Sequence, residues 1–232
     1  MKLAIMQPYF LPYIGYFQLI EHVDEFVVYD NIQYTKSGWI NRNRLLRDGR
    51  DQLFTLPLKH DSDVLNVVDR ELSPAFRRDK LLNQVREAYR QAPHFSTVFP
   101  LIEDIVLFKD PNLFAYVFHS LKRVLKHLDI MTPITISSSI SLDHGLKGQE
   151  KVLAMCRALG AVEYVNPVGG MELYSRDAFR HQGVELRFLP PRLQAYSQLG
   201  QVFVPGLSIL DVMMFNSVKD IREDLLKIGQ ML

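Results

Sequence analysis

The chain has 232 residues, 47% of them hydrophobic and 23% charged, which is the makeup of an ordinary globular protein and enough length for one domain with a sizeable core. Its 27 basic and 26 acidic residues nearly cancel, so no global field favours nucleic acid or an anionic membrane, and an anionic ligand needs a local cluster of cations. A single cysteine excludes an intramolecular disulfide and a cysteine-built zinc cage, while the lack of a signal-type leader or an apolar run of roughly 18 residues predicts a cytoplasmic chain with no transmembrane segment.

KLAIM (2–6) reads as a buried strand and EFVVYDNIQYT (25–35) as a second. Between them IGYFQLIEHV carries apolar residues at 14, 17, 20 and 23, a helical spacing, so the chain opens as a right-handed strand, helix, strand unit. The Arg47-Asp48-Gly49-Arg50 turn between two apolar runs predicts a small antiparallel hairpin, and VLNVVDREL predicts one more short strand.

From Pro74 a helical stretch begins, with Leu81, Leu82, Val85, Ala88 and Tyr89 on one face and Pro93 as its stop. STVFPLIEDIVLF and NLFAYVFHSLKRVLKHLDI predict two more helices. After residue 133 strands and helices alternate again: PITISSSI, GQEKVLAMCRALG, EYVNP, SRDAFRHQG and VELRFLP, followed by one long helix over LSILDVMMFNSVKDIREDLLKIG. The expected fold is a single α/β domain over 1–232 with a mostly parallel, Rossmann-like sheet, the hairpin, and a helical insertion over 74–130. Met213-Met214 suits either the core or a homodimer seam, and Cys156, on the apolar face with Val152, Met155 and Leu159, reads as core.

Ligands of open α/β sheets collect outside the carboxyl ends of the strands. If the strands are parallel, Gln7–Tyr16, Asp30–Arg44, Ser137–Ser141 and Asn166–Gly170 share one rim. In the first loop prolines stiffen the chain, Gly15 allows close approach, and Tyr9, Tyr13 and Tyr16 offer flat faces with hydroxyl tips; the plainer reading is an aromatic plug on the core. In YDNIQYTKSGWINRNRLL, Lys36, Arg42 and Arg44 are fit to bind phosphate or carboxylate, Asn41 and Asn43 to read polar edges, and Trp39 to stack; a solvated hairpin pinned by Trp39 explains them equally well.

The ISSSI run can bind phosphate, as a similar motif does in nucleotidylyltransferases, but the first loop reads Tyr13-Ile14-Gly15-Tyr16 where those enzymes carry two histidines. NPVGG lacks the spacing of a dinucleotide fingerprint or a P-loop and predicts a tight turn. No histidine pair has ligand spacing, so no metal is expected, and the sequence specifies no cofactor. His60 beside Asp61 and Asp63, His144 beside Asp143, and Asp30 are the general-base candidates, with exposed loop residues as the alternative.

MQPYFLPYIGYFQLI, VDEFVVYDNIQYTKSGWINRNRL, AYRQAPHF, NPVGGMELYSRDAFRHQGVELRFL and YSQLGQVFVPGLSILDVMMFNS together resemble the WbqC-like family of bacterial proteins over nearly the whole chain. The shared pattern takes in Gln7, Pro8, Pro12, Gly15 and Tyr16, then Asp30, Gln33, Tyr34, Trp39, Asn41, Arg42 and Asn43. Further on it covers Tyr89, Pro93, Asn166, Gly170, Tyr174, Tyr196, Ser208 and Asp211, while ELSPAFRRDKL departs from it by lacking a tryptophan. The resemblance implies work on nucleotide-linked or lipid-linked sugars, since such proteins are encoded among genes for O-antigen and other surface polysaccharides.

The resulting expectation is a transferase acting on a nucleotide-linked sugar by acyl or aminoacyl transfer to an amino group. Asp30 and His60 are the catalytic candidates, with Arg42 and Lys36 on phosphate, Trp39 and Tyr16 on flat faces, and Gln7 and Asn41 on polar edges. Tyr9, Gln33, Asn43, Asn166 and Tyr196 complete the substrate-binding set. A nucleotidylyltransferase-like or adenylate-forming enzyme and a non-catalytic scaffolding subunit of a glycan pathway are the alternatives.

Overall fold

Five short apolar runs assemble into one all-parallel sheet in the computed structural model, which describes residues 1–200 and 202–232. In chain order the elements are β1 (Lys2–Met6), α1 (Ile14–His22), β2 (Glu25–Val28), the hairpin β3 (Arg42–Arg47) and β4 (Arg50–Thr55), and α2 (Arg78–Tyr89). Then come α3 (Phe95–Leu107), α4 (Leu113–His127), β5 (Ile134–Ile136), α5 (Gly148–Ala158), β6 (Glu163–Pro167), α6 (Arg176–His181), β7 (Glu185–Leu189) and α7 (Ile209–Phe215). The sheet order is β5-β2-β1-β6-β7, with the hairpin apart. This is the expected α/β fold with its parallel sheet and antiparallel addition.

The central strands β1, β2 and β6 carry apolar residues on both sides because both faces of the sheet are covered. Ala4, Phe26, Val28 and Val165 pack with α1 to α4 and α7 in one core, while Leu3, Ile5, Val27 and Tyr164 pack with α5 and α6 in the other. Met213 and Met214 are buried in the first core and Cys156 in the second, so all three are packing residues here. Burial pushes the Cys156 thiol up to about 12, which leaves it without thiolate character near neutral pH.

From β1 the chain steps to β2 and then β5 on one side, and returns past β1 to place β6 and β7 on the other. The loops leaving β1 and β6 therefore diverge, and the crevice between Gln7 and Asn166 is the switch point where such sheets take ligands. The Asp48-Gly49 turn has positive φ at both residues (51° and 73°), the two-residue turn that matches the twist of a hairpin.

Three expected elements differ. The second strand ends at Val28 rather than running to 35, because Asp30 is captured by Ser137 and Ser138 and Tyr34 N bonds to Leu65 O, which draws the backbone away from the sheet. VLNVVDREL forms a single 3-10 turn, Val67–Asp69, whose Val67 and Val68 N–H groups donate to Ile32 O and Asp30 O. The final helix breaks at Asn216: Ser217 caps a new turn by accepting from Asp220 N, and a π-helical stretch, Ile221–Leu225, follows. Among the described residues no helix is long and apolar enough to cross a membrane.

Candidate functional site

A cleft of about 1470 Å³ opens at the carboxyl rim of the sheet, over the switch point. It exceeds the roughly 300–1,000 Å³ of pockets for drug-sized ligands. Its floor is the loop after β1, with Gln7, Tyr9 and Tyr13 on the lining.

That loop is rigid for identifiable reasons. Asn43, buried, donates from Nδ2 to Leu11 O (2.7 Å) and Phe10 O (3.3 Å), Ser208 Oγ donates to the same Leu11 O (2.7 Å), and Leu11 adopts a left-handed backbone. Tyr16 is buried with its hydroxyl donating to Gln7 O (3.0 Å), so it supports the floor from beneath. Gly15 lies under the Tyr13 ring, where a Cβ would sit 2.5 Å from a ring carbon, so the glycine lets the tyrosine fold back along the cleft. Burial raises the hydroxyl pKa values of Tyr9 and Tyr13, so both are neutral donors at the floor.

The segment after β2 divides. Gln33, Trp39, Asn43 and Arg44 line the cleft. Trp39 is 41% exposed, and the guanidinium of Arg44 lies 5.4 Å from its ring centre. Arg44 also donates to Gly206 O and pairs with Asp51, which fixes a cation in the wall. Asn41 is buried, donating to Leu56 O and accepting from the Tyr34 hydroxyl, and Arg42 is turned onto Gly38 O and Ser37 O. Lys36 pairs with Asp63 at 2.9 Å on the exposed surface.

The third wall comes from the start of α5. Lys151 is only 4% exposed, yet its ammonium forms no ion pair among the described residues. Its contacts are two long ones, to Asn31 O (3.4 Å) and His144 O (3.5 Å), and the face of Tyr29 at 5.1 Å. Burial pulls its ammonium below the ordinary lysine range, only partly opposed by the charge of Asp30. Tyr29 is pushed up to about 12, first by burial and then by Tyr174. Asn31, His144 and Gln149 complete this wall.

Across the crevice, Asn166 is buried at the end of β6, accepting from the Tyr164 hydroxyl (3.1 Å) and donating to Pro167 O (3.2 Å). A Cβ on Gly170 would sit 2.0 Å from Asn166 Nδ2, so only glycine leaves that amide its place on the lining. The residues after Pro167 form a 3-10 stretch, Val168–Leu173.

The structure thus gathers Gln7, Tyr9, Gln33, Trp39, Asn43 and Asn166 around one cleft. Tyr13, Arg44 and His144 line it too, whereas Asp30, His60, Tyr16, Lys36, Asn41, Arg42 and Tyr196 are off the lining. Asp30 is 1% exposed, its carboxylate taken up by Ser137 Oγ (2.7 Å), Ser138 N (2.9 Å) and Ser138 Oγ (2.7 Å), so it anchors the rim and has no open oxygen for a substrate proton. His60 is exposed on the β4 side and off the lining, and Tyr196 spends its hydroxyl on Asp211 (2.6 Å). Tyr29, Asn31 and Lys151 were not singled out by motif. Lys151 carried one legible signal, a lysine four residues before Met155 on the buried stripe of its helix.

The structure defines an α/β protein with a parallel sheet and an aromatic and amide-lined cleft at the switch point, the place where open sheets of this kind hold ligands. The chain matches the family described as the WbqC-like protein family over residues 7–223 and belongs to it. It is 30% identical over 220 residues to "Uncharacterized protein Rv1507c" of Mycobacterium tuberculosis (strain ATCC 25618 / H37Rv), covering 91% of this chain and 92% of that one. No solved structure matches it.

Proposed function

We propose that this protein is a transferase of bacterial surface-polysaccharide (O-antigen) synthesis that acts on a nucleotide-linked sugar, by acyl or aminoacyl transfer to an amino group of the sugar. The observation that carries the reading is Lys151, a buried ammonium with no ion pair among the described residues, at the N-terminal turn of a helix that opens on the cleft. A protein keeps such a charge at a cost, and a phosphate oxygen in the cleft offsets it with charge-assisted hydrogen bonds. Helix N-terminal N–H groups favour the same anion.

Lys151 and Arg44 therefore take the phosphate role first given to Lys36 and Arg42. Trp39, Tyr9 and Tyr13 offer faces for a base or sugar ring, and Gln7, Gln33 and Asn166 offer amide edges. The cleft has room for a nucleotide and a sugar together. Membership of the WbqC-like family, linked by the sequence resemblance to surface-polysaccharide gene clusters, supports the pathway. Ser137 and Ser138 of the run that a nucleotidylyltransferase would place on phosphate donate their hydroxyls to Asp30, which speaks against that alternative.

A thermal-shift screen against nucleotide sugars, nucleoside triphosphates and acyl donors tests the reading, because a ligand that binds the native state raises Tm by mass action. A rise with a nucleotide sugar that shrinks in Trp39→Ala is expected. Stabilisation by none of these ligands, with a stable protein partner found instead, overturns it in favour of a scaffolding subunit.

A further inference from the structure

The hydrogen bonds around Asn31 contain a conflict whose resolution assigns a role to His144. Ser137 Oγ lies 2.7 Å from Asp30 Oδ1 and 2.7 Å from one terminal atom of the Asn31 carboxamide, placed as Oδ1. The other end of that carboxamide, placed as Nδ2, lies 2.9 Å from His144 Nδ1. A carboxylate only accepts, and a serine has a single hydroxyl proton, so Asp30 Oδ1 and Asn31 Oδ1 cannot both receive it. The two ends of a carboxamide are told apart by their partners. Turning Asn31 over gives every atom a complementary partner: Ser137 donates to Asp30 and accepts from Asn31 Nδ2, alongside the longer contact from Asp30 N at 3.2 Å. Asn31 Oδ1 then accepts from His144, which requires the proton on Nδ1.

We propose that His144 is the base of this site, held by the chain Asp30, Ser137, Asn31 in the Nδ1-protonated form so that its Nε2 lone pair serves the cleft. His144 lines the cleft beside Lys151, and Nε2 has no partner among the described residues. The ring nitrogen left basic is set by the hydrogen bond the other nitrogen makes. Asp30, Ser137 and Asn31 are positioning residues, which is why a buried acid unable to reach substrate still belongs to the site.

The chemistry rests on the transferase reading. The amine of the acceptor sugar attacks the carbonyl carbon of an activated acyl donor, a thioester or acyl phosphate. The C–N bond forms and the bond from that carbon to sulfur or to phosphate oxygen breaks. The amine proton passes to His144 Nε2 and from there to the leaving group, which restores the starting histidine.

Nitrogen-15 NMR of the imidazole side chains, well above the ordinary histidine titration range, reads the tautomer directly. The wild-type protein is expected to show His144 protonated at Nδ1, and Asn31→Ala to shift it towards the Nε2-protonated form that unconstrained side chains favour. An Nε2-protonated His144 in the wild type, or a tautomer indifferent to Asn31→Ala, overturns the proposal. In the second arm His144→Gln should retain nucleotide-sugar binding and lose transfer by about 100-fold or more. Undiminished transfer removes His144 from catalysis even if the tautomer is as expected. A protein with the expected tautomer that binds no nucleotide sugar contradicts the transferase chemistry while leaving the hydrogen-bond chain intact.

Discussion

Asp211 and Lys151 are both buried charges in the opening turn of a helix, and their surroundings differ in every respect that matters. Asp211, 0% exposed, accepts from the Tyr89 hydroxyl (3.0 Å), the Tyr196 hydroxyl (2.6 Å) and Gln198 Nε2 (2.7 Å), and its negative charge sits at the favourable end of α7. Lys151 has two carbonyls at the limit of hydrogen-bonding distance, and its positive charge is at the wrong end of α5. The first arrangement is closed, with every acceptor used to tie α2, α7 and the 196–198 segment together. The second is left open on a cleft. At Asp211 the hydrogen bonds tie three parts of the fold together, whereas at Lys151 two long carbonyl contacts and the face of Tyr29 leave the ammonium without a close acidic partner among the described residues.

Breaking the closed cluster should have the largest effect. Asp211→Ala leaves two buried hydroxyls and an amide without their acceptor, and should cost about 3 kcal/mol in a urea unfolding series. Ligand affinity should be unchanged, because none of these groups lines the cleft. Lys151→Met should do the opposite to stability and raise it by about 1 kcal/mol, as a packed apolar chain replaces an uncompensated ion.

The pH dependence of stability separates the two charges further. Burial raises the Asp211 carboxyl, so above the ordinary carboxylate range the folded protein holds more protons there than the unfolded chain, and this contribution falls as pH rises. Lys151 is lowered, so just below the ordinary lysine range the unfolded chain holds more protons, and its contribution rises with pH. Unfolding measured across pH should lose the acidic-side fall in Asp211→Asn and the alkaline-side rise in Lys151→Met. The smallest effect belongs to Lys36→Ala: its pair with Asp63 is solvent-exposed, so neither stability nor nucleotide-sugar affinity should change measurably.

The strands and helices were largely legible in the sequence because they depend on local periodicity: KLAIM, EYVNP and the faces of α2 to α5 fall where the apolar spacing put them. What periodicity does not carry is competition from distant partners. Serines 137 and 138 end β2 early, although they lie more than a hundred residues away, and Ser217 interrupts an apolar pattern that would otherwise continue as helix.

The rim loops were legible through the rule for parallel sheets, but the duties of their residues were not. Asn41, Arg42 and Tyr16 look like ligand groups in a string and are bonded to the backbone in the fold. Lys151 looked like one more residue of an apolar helix until its burial and its lack of an ion pair among the described residues set it apart. Of the two histidines with neighbouring acids, the sequence reading takes His60 as the catalytic candidate; the fold brings His144 to the cleft and leaves His60 on the surface.

The most direct test is a calorimetric titration of nucleoside-diphosphate sugars into the wild-type protein and into Lys151→Met. Loss of a charge-assisted contact worth roughly 1.5–3 kcal/mol predicts binding weaker by about 10- to 100-fold in a variant that is more stable than the wild type, so the loss cannot be laid to unfolding. Equal affinity in the two proteins would contradict the account, because it would mean that the buried ammonium does not face the phosphates.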